Sequence, residues 1–439
     1  MRFGVITVRN IVRRAEVQYR DVRFKDFNEG VHLMRGRSIA VFLAAVPALA
    51  AIPILGLAVA ETGQSVVVAS RASKICQLLG DQDLEKNQPT LNRTWTRYKL
   101  YGTDLGVPFG HNGRTYLVFG DTVGAGPRNA DTIAFTTDTN PEDGMELEFI
   151  HNANGVYRPV KIPGIGQGAF EVPMEGTSVG GKMYLYHTTD AGGNPARPEM
   201  GRSVVAVSQD DGRTFTYLYD LSRRYFINVS VVESETPSTA DSTQSPTPLL
   251  YLFGSGKYRA SDVRLAVQPA SRITDPAALR YLTGLDGSGR AVWSEDENGA
   301  VALFNQPCVG ELSVSYNRFL RKWLMLYNCS GAKAQASEGL RGINLRTADQ
   351  PWGPWSPPQV IFDPWADNGY GHFIHVSWKI NRRDNVFDPK RENESGGEYG
   401  PYQFAELATG VAGTTTIYFT MSTWNPYTVV LMKATLREI

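Results

Sequence analysis

Short segments rich in aromatic and β-branched residues, bounded by Gly, Asn, Asp and Pro, follow one another from about residue 96 onward. Apolar and polar positions alternate with a period of two in many of these segments, and long segments with a helical period are missing from the sequence. A period of two places alternate side chains on opposite faces of a strand. The pattern therefore predicts an all-β domain built from many short strands.

One element of this pattern recurs five times, as a polar or Gly-marked turn followed by an aromatic-rich strand. The copies start about 67 to 93 residues apart, and further short strands follow most of them. Four short strands per unit at this spacing are typical of a propeller blade, and such blades bury their faces by stacking around an axis. We therefore predict a five-bladed β-propeller from the copies GRTYLVFGD (113–121), GKMYLYHTT (181–189), TPLLYLFGSG (247–256), RKWLMLYNCS (321–330) and TTTIYFTMST (414–423).

Three further segments are interpreted as structural. SQDDGRTF (208–215) has the S-x-D-x-G-x-T-aromatic form of an Asp box, so we expect Ser208, Asp210 and Gly212 to brace a turn between outer strands. The Ser/Thr/Pro-rich segment 233–246 is predicted to be a surface loop. The polar segment 381–400 is either a lid or a simple loop, and long polar segments of this kind favour the simple loop.

The first copy of the repeat lies in a predicted hairpin with a carboxylate at each open end. Asn112-Gly113 is the preferred pair for a two-residue type I′ turn, since both positions need a positive φ. Extending the register outward from this turn places Asp104 directly opposite Asp121. Such a pair destabilises a sheet, and it often keeps one acid protonated beside one carboxylate. The alternative is structural, with either Asp capping a turn or pairing with an Arg.

The innermost strand of each propeller blade opens onto one face, where polar residues are candidates for substrate contacts. The hairpin after residue 309 is expected to set Glu311 opposite Asn328. Carboxylates, an Arg, a His, an Asn and aromatic residues facing a common opening are typical of a glycosidase, which needs a protonated acid, a carboxylate and donors for sugar hydroxyls. The candidates for substrate contact are Ser178, Tyr258, Arg259, Asp262, Glu311, Asn328, His375 and Trp424.

The N-terminus differs from the rest of the chain. Residues 1–37 are rich in Arg, and residues 38–60 form an apolar run that ends in small residues. The run is either a signal peptide that starts at Met34 or, if Met1 is the true start, a signal-anchor in the membrane. In both cases we expect the rest of the chain to lie outside the cytoplasm. The predicted organisation is thus a signal or anchor segment (1–61), a lead-in (62–95) and the propeller (96–439).

Charge and cysteine content narrow the function further. The 439-residue chain has a formal net charge of zero and a pI of about 7.0, which argues against a nucleic-acid partner. Cys308 and Cys329 flank a hairpin-like unit and are a candidate disulfide in an oxidising compartment, and Cys76 is left over. No cysteine or histidine cluster indicates zinc, and no cofactor is expected. A structural Ca²⁺ on the propeller axis is left open.

Several motifs resemble the family known as domain of unknown function 4185. The resemblance spans about residues 98–435 and implies a five-bladed propeller in exported, mostly bacterial proteins. Some members are similar to endo-acting D-arabinofuranosidases that cleave the arabinan of actinobacterial cell walls, and the aspartate pair implicated there falls on Asp104 and Asp121. The motifs are GTDLGVPF, FGDT, DTIAFTTDTNPEDG, SVGGKMYLY, YLFGSGKYRASDV, GELSVSYN, RTADQPWGPWS and FTMSTWNPY.

Together these observations predict a monomeric glycoside hydrolase, secreted or anchored in the membrane, that acts on a furanosidic polysaccharide such as cell-wall arabinan. Asp104 and Asp121 are the expected acid and nucleophile or base, in an order that the sequence leaves open. The alternative from another class is a glycan-binding propeller at the cell surface without turnover. A sialidase-like enzyme is disfavoured, because no arginine triad for a carboxylate sugar is found.

Overall fold

The computed structural model describes residues 65–194, 197–234, 248–329, 342–380 and 383–439. Ser65–Gly193 and Pro198–Ile439 form one compact unit, and the other unit, Met1–Gln64 with Asn194–Arg197, lies almost wholly outside the described residues. The predicted signal or anchor segment is therefore outside the described part of the chain. Within that part, no helix is both long enough and apolar enough to cross a membrane.

Antiparallel strands make up most of the described chain, together with one short helix, α1 (Thr94–Tyr98), and single 3₁₀ turns. The 3₁₀ turns are Pro141–Asp143, Ala270–Arg272, Pro276–Ala278, Glu297–Gly299, Trp378–Ile380 and Ala405–Leu407. In chain order the strands are β1 (Val66–Gln77), β2 (Gln82–Asp83), β3 (Gln88–Pro89), β4 (Leu100–His111), β5 (Arg114–Gly124), β6 (Ala130–Thr136), β7 (Glu148–Phe149), β8 (Pro173–Val179), β9 (Lys182–Thr189), β10 (Gly192–Asn194), β11 (Arg197–Glu199), β12 (Arg202–Ser208), β13 (Thr216–Ser222), β14 (Asn228–Ser234), β15 (Leu249–Ser255), β16 (Arg264–Pro269), β17 (Arg280–Leu285), β18 (Ala291–Ser294), β19 (Val309–Asn317), β20 (Lys322–Cys329), β21 (Ile343–Ala348), β22 (Gln359–Phe362), β23 (Glu398–Gln403), β24 (Thr409–Val411), β25 (Thr414–Thr423) and β26 (Thr428–Glu438).

Five sheets of four or five strands form the blades of a propeller. Blade I contains β4 to β7, blade II contains β8, β9, β12 and β13, blade III contains β14 to β18, and blade IV contains β19 to β22. Blade V contains β23, β25, β26 and β1, with β24 paired to β25. The inner strands β4, β8, β14, β19 and β23 contact one another in a closed ring. The predicted five-bladed β-propeller is confirmed.

Each recurring aromatic-rich segment is the second strand of its blade, namely β5, β9, β15, β20 or β25. The central side chain of each of these strands is fully buried, because it packs between neighbouring blades. This burial explains why the same apolar pattern returns five times along the chain. The five side chains are Phe119, Leu185, Leu252, Leu326 and Phe419.

The N-terminal strand β1 closes the ring. It pairs antiparallel with β26, with Val66 opposite Glu438, and so forms the outer strand of blade V. The sequence analysis places residues 66–77 in the lead-in and not in a blade. Three register shifts interrupt the alternation of this strand, so its sequence does not show a regular strand pattern. Its partner also lies at the other end of the chain, where no local signal indicates the pairing.

The Asp box is structural, as predicted. Asp210 Oδ1 accepts from Ser208 Oγ (2.8 Å) and from the backbone N–H of Thr214 (2.8 Å), while Gly212 N–H donates to Ser208 Oγ (2.9 Å). These bonds fix the turn between β12 and β13. Cys308 and Cys329 form a disulfide, and Cys76 is a free thiol. Residues 235–247, most of the predicted loop 233–246, lie outside the described residues.

Candidate active site

The first hairpin turns where the sequence predicts but changes register further out. Asn112 and Gly113 have φ values of 47° and 74°, and His111 lies opposite Arg114. The predicted opposition of Asp104 and Asp121 is wrong, since Asp104 lies opposite Gly120.

The cause of this shift is a bulge in β4. Leu105 and Gly106 have φ values of 66° and 77°, and the register of the hairpin changes between Leu105 and Val107. The bulge moves the pairs at Leu105 and Asp104 by one position, so that Asp104 faces a glycine instead of a carboxylate, and two further register shifts follow towards Leu100.

The two carboxylates nevertheless share one site. A Cβ atom at Gly120 would lie 2.9 Å from Asp104 Oδ1, so the glycine leaves room for that carboxylate beside Asp121. The charge of Asp104 contributes, after burial, to a raised pKa of Asp121. The backbone of Asp121 is also strained, since this non-glycine residue has a φ of 36°.

The two carboxylates have different hydrogen-bond partners. Asp104 Oδ2 accepts from the hydroxyl of Tyr399 at 2.9 Å, and the hydroxyl of Tyr427 also stabilises its charged form. Asp121 Oδ2 accepts a longer bond, of 3.3 Å, from the backbone N–H of Phe170. The Oδ1 atom of each carboxylate is buried and has no hydrogen-bond partner among the described residues. Both acids therefore keep one free acceptor in the site.

The pKa values of the pair are raised to different extents. Burial raises the pKa of Asp104 to about 6, against the opposing effect of the two tyrosine hydroxyls. Burial and the charge of Asp104 raise the pKa of Asp121 well above its ordinary value. Two acids whose surroundings push their pKa values apart can work as one proton donor and one carboxylate.

A buried ion pair lies beside the two aspartates. Arg259 donates through Nη2 to Glu311 Oε1 (2.8 Å) and through Nε to Oε2 (3.2 Å), and Asn328 Nδ2 donates to Oε2 (2.8 Å). Burial alone would raise the pKa of Glu311, but Arg259 outweighs it and lowers the pKa. Although a bulge precedes Leu312 in β19, the predicted contact between Glu311 and Asn328 is present.

Aromatic rings connect the ion pair to the aspartates. The Arg259 guanidinium lies 4.9 Å from the ring centre of Tyr258 and 5.2 Å from that of Tyr399. Tyr258 contacts Phe170 edge to face at 6.3 Å, and the Phe170 backbone donates to Asp121. These contacts connect Asp104, Tyr399, Arg259, Tyr258, Phe170 and Asp121, and Glu311 is bound to Arg259 beside them; we call these seven residues the mouth.

Two other predicted substrate contacts are not part of the mouth. His375 is fully buried, with Nδ1 2.6 Å from Asp384 Oδ1 and Nε2 2.9 Å from the carbonyl of Glu392. Both ring nitrogens are engaged in holding the 383–397 segment, so His375 cannot bind substrate. Asp262 Oδ1 accepts from the backbone N–H of Gln306 at 2.6 Å, and so anchors the loop that precedes β19.

Ser178 lies at the end of its blade that is remote from Asp104 and Asp121. Its Oγ atom is 2.7 Å from Nδ1 of His111, at the far end of β4 from Asp104. Seven residues of strand separate His111 from Asp104, which corresponds to roughly 20 Å. Ser178 therefore lines a separate cavity of about 610 Å³ on that face, together with Arg114 and Thr136.

Trp424 lies next to the mouth and is partly buried. Its Nε1 donates to Glu394 Oε1 at 2.6 Å, the Arg391 guanidinium lies 4.6 Å from its ring centre, and its ring contacts Tyr427 edge to face. Asp388 N–H donates to Asn425 Oδ1, and Asp388 Oδ2 accepts from Tyr427 N–H. Hydrogen bonds therefore hold the described part of the 381–400 insertion against blade V, which favours the interpretation as a simple loop.

Sequence reasoning missed a third buried acid. Asp131 is 1% exposed, and its Oδ2 lies 2.8 Å from Nε2 of the fully buried His187. Burial raises the pKa of Asp131, and the hydrogen bond from His187 opposes that effect. The sequence does contain a signal for this pair, because each residue is polar and lies in an otherwise apolar strand. Asp131 starts DTIAF, and His187 lies in YLYHTT.

Within the described residues, no group of three or more His, Cys, Asp and Glu side chains is placed to hold a metal ion. The chemistry that this arrangement offers is proton transfer and nucleophilic or general-base attack by carboxylates.

A family model described as a domain of unknown function, DUF4185, matches residues 90–433. No curated protein matches the sequence. Among solved structures, the chain is similar to an exo-β-1,3-galactanase from Phanerochaete chrysosporium, at 10% identity and a TM-score of 0.43, over 83% of this chain and 64% of the galactanase. The chain thus spans less than two thirds of that protein's length.

Two further solved structures are similar at the same level. An α-L-arabinofuranosidase from Podospora anserina is 11% identical, with a TM-score of 0.41, over 83% of this chain and 96% of that one. An arabinanase from Bacillus subtilis is 12% identical, with a TM-score of 0.37, over 76% of this chain and 96% of that one.

Proposed function

The chain belongs to the DUF4185 family, and from this premise we propose that it is a glycoside hydrolase whose catalytic acids are Asp104 and Asp121. The observation that carries the proposal is the pair of adjacent carboxylates in the mouth, each with a buried, unpartnered Oδ1 atom and a raised pKa. Glycoside hydrolysis needs one protonated acid and one carboxylate on either side of the scissile bond.

The surroundings of the pair support an assignment of the two roles. Asp104 accepts a hydroxyl hydrogen bond from Tyr399, and the nearby Tyr427 hydroxyl also favours the carboxylate, so Asp104 acts as nucleophile or general base. Asp121 accepts a long backbone bond and lies beside the charge of Asp104, so it keeps its proton and protonates the leaving glycosidic oxygen. The pH profile of kcat/KM is expected to be bell-shaped, with an acid limb near pH 6 from Asp104.

The surfaces around the pair suggest a neutral sugar chain as substrate. The cation of the mouth, Arg259, is neutralised by Glu311, and Arg391 is neutralised by Asp388 and Glu394. Both guanidiniums are therefore committed to protein carboxylates and do not offer a clamp for an acidic sugar. Tyr258 and Trp424 are proposed as aromatic contacts for the sugar, a role in which flat apolar rings are suitable.

The family resemblance adds the finer proposal of an endo-acting D-arabinofuranosidase. The motifs that carry it include both aspartates, in GTDLGVPF and FGDT. The basic and apolar N-terminal segments support export, with residues 38–60 as signal peptide or membrane anchor. We propose an exported monomer that acts on cell-wall arabinan without a cofactor.

The test combines turnover with binding. Purified protein is incubated with D-arabinan, and the products are separated by chromatography, with Asp104→Asn and Asp121→Asn as site variants and Asp211→Asn as the matched control. Asp211 lies beside His111, far along β4 from the pair. The proposal expects short oligosaccharides from the wild type and the control and a loss of at least 10³-fold, by order of magnitude, in both site variants.

Two outcomes contradict the proposal. Retention of the polymer without any turnover in the wild type supports the glycan-binding alternative. Turnover that survives both substitutions in folded variants places the chemistry elsewhere. NMR of the first product then gives the anomeric configuration, which the bulged register leaves open between retention and inversion.

A further inference from the structure

Two consecutive residues at the end of β9 connect to Asp121 from two sides. The first is His187, whose Nδ1 is 2.6 Å from the carbonyl oxygen of Thr188 and whose Nε2 is 2.8 Å from Asp131 Oδ2. Because a carbonyl oxygen only accepts, Nδ1 carries a proton. A second proton therefore lies between Nε2 and Oδ2, which holds Asp131 in one orientation.

Asp131 in turn lies across the β5–β6 ladder from Asp121, since Phe119 pairs with Thr132 and Thr122 with Ala130. Burial raises the pKa of Asp131, and the nearby backbone N–H of Asp121 opposes that effect. Asp131 Oδ1 is buried and has no hydrogen-bond partner among the described residues. The charged and titratable groups that act on Asp131 and Asp121 are His187, Asp104, Glu171 and Tyr258, and the neutral amide of Gln167 lies 3.5 Å from Asp131 Oδ2.

The second connection runs through Thr188. Its Oγ1 accepts from the backbone N–H of Val172 at 2.8 Å, and its one proton is shared between the carbonyls of Phe170 and Val172, each at 3.2 Å. Phe170 has a left-handed backbone, with a φ of 67°, and its N–H donates to Asp121 Oδ2. The hydroxyl of Thr188 therefore holds a strained loop in the position that this donor requires.

We propose that Asp131 and Thr188 are positioning residues for Asp121, with opposite effects on its proton. The shared proton leaves the Asp131–His187 pair neutral as a whole, but the Asp131 carboxylate is the negative end of the pair and lies on the side of Asp121, so it favours the protonated form of Asp121. Thr188 fixes the Phe170 N–H, which stabilises the ionised form. The inference rests on the proposed function, since it assigns a purpose to these residues in setting the proton affinity of the general acid.

The two residues can be tested by near-isosteric substitutions. In the pH profile of kcat/KM, the alkaline limb reports loss of the proton from the general acid. Asp131→Asn removes the charge, and we expect the alkaline limb to move down by about one pH unit. Thr188→Val removes the hydroxyl, and we expect the limb to move up, while Thr188→Ser restores it. A purely structural role for either residue would lower activity without moving the limb in opposite directions.

A readout independent of turnover separates this inference from the proposed function. Protein labelled with ¹³C at the Asp carboxyls is titrated by NMR, and the Asp121 signal is identified by its loss in Asp121→Asn. Its midpoint is expected to move down in Asp131→Asn and up in Thr188→Val, even if no glycan is cleaved. An unchanged midpoint in the folded variants overturns the inference. If Asp131→Asn fails to fold, Thr188→Val alone decides, since an unmoved midpoint there is equally contradictory.

Discussion

Arg259 and Glu311 face each other in the mouth through two hydrogen bonds, Nη2 to Oε1 at 2.8 Å and Nε to Oε2 at 3.2 Å. The pair joins the β15–β16 loop of blade III to the inner strand of blade IV, and its guanidinium contacts the rings of Tyr258 and Tyr399. An ion pair in such a place is costly to break, because the remaining charge stays buried. It therefore fixes the wall of the site on which Asp104 depends.

Glu311→Gln is expected to lower the free energy of unfolding by about 1–3 kcal/mol, since Arg259, whose side chain is 26% exposed, keeps a largely buried charge without its partner. Urea unfolding at pH 7 measures this loss. The folded-state pKa of Glu311 is lowered, so its stabilising effect is present above the ordinary carboxyl range and is lost as the pH falls below about 4.5. A variant with unchanged stability would show that the pair contributes nothing.

Glu175 gives the opposite dependence on pH. Burial raises its pKa to about 8, against hydrogen bonds from Gly176, Ser230 and Val231. Because the folded-state pKa lies above the unfolded value, its contribution is complete below about pH 4.5 and declines as the pH rises towards 8. Between those limits the wild type should lose on the order of 4 kcal/mol through this group.

Glu175→Gln keeps the shape of the side chain and removes the titration. Unfolding measured between pH 5 and pH 8 should then be flatter for the variant than for the wild type. Parallel curves for the two proteins would contradict the assignment.

Tyr399→Phe removes the hydroxyl that donates to Asp104 Oδ2. Without this bond the carboxylate is less stabilised, so the pKa of Asp104 should rise above its value of about 6. The acid limb of kcat/KM should move up by about one pH unit. Tyr418→Phe is the matched control, since Tyr418 donates to Glu142 instead. Identical profiles for the two variants would exclude a role for Tyr399.

Asp210→Ala in the Asp box should affect stability alone. The substitution removes the bonds to Ser208 and to the backbone and hydroxyl of Thr214. On an exposed turn we expect a loss of about 1–2 kcal/mol in the free energy of unfolding, with kcat/KM unchanged. A fall in kcat/KM at full folding would link this turn to the site, contrary to its interpretation as a brace.

The sequence was sufficient wherever the structure is determined locally. The turn at Asn112-Gly113, the Asp box and the five aromatic strands all follow from patterns within a dozen residues. The contact between Glu311 and Asn328 also follows, because both lie near one hairpin end. These features were enough to predict the propeller fold and the end of each blade that lies at the mouth.

The errors come from long-range contacts and from backbone irregularity. The bulge at Leu105 and Gly106 shifts the register by one, and alternation alone does not indicate it. His375 was predicted to contact substrate because the sequence pattern does not reveal its partner. That partner, Asp384, meets the imidazole ring only in the folded chain. Asp131 and His187 lie in different blades and meet only in the folded chain. Strand β1 likewise finds its partner β26 at the far end of the chain.

The roles of Asp104 and Asp121 can be separated most directly by the leaving group. Aryl arabinofuranosides with a poor and a good leaving group are hydrolysed by the wild type, Asp121→Asn and Asp104→Asn, and kcat/KM is compared. A good leaving group departs without protonation. Asp121→Asn should therefore lose activity on the poor substrate and keep most of it on the good one, while Asp104→Asn should lose both. Equal losses of both substrates in Asp121→Asn would contradict its role as the general acid.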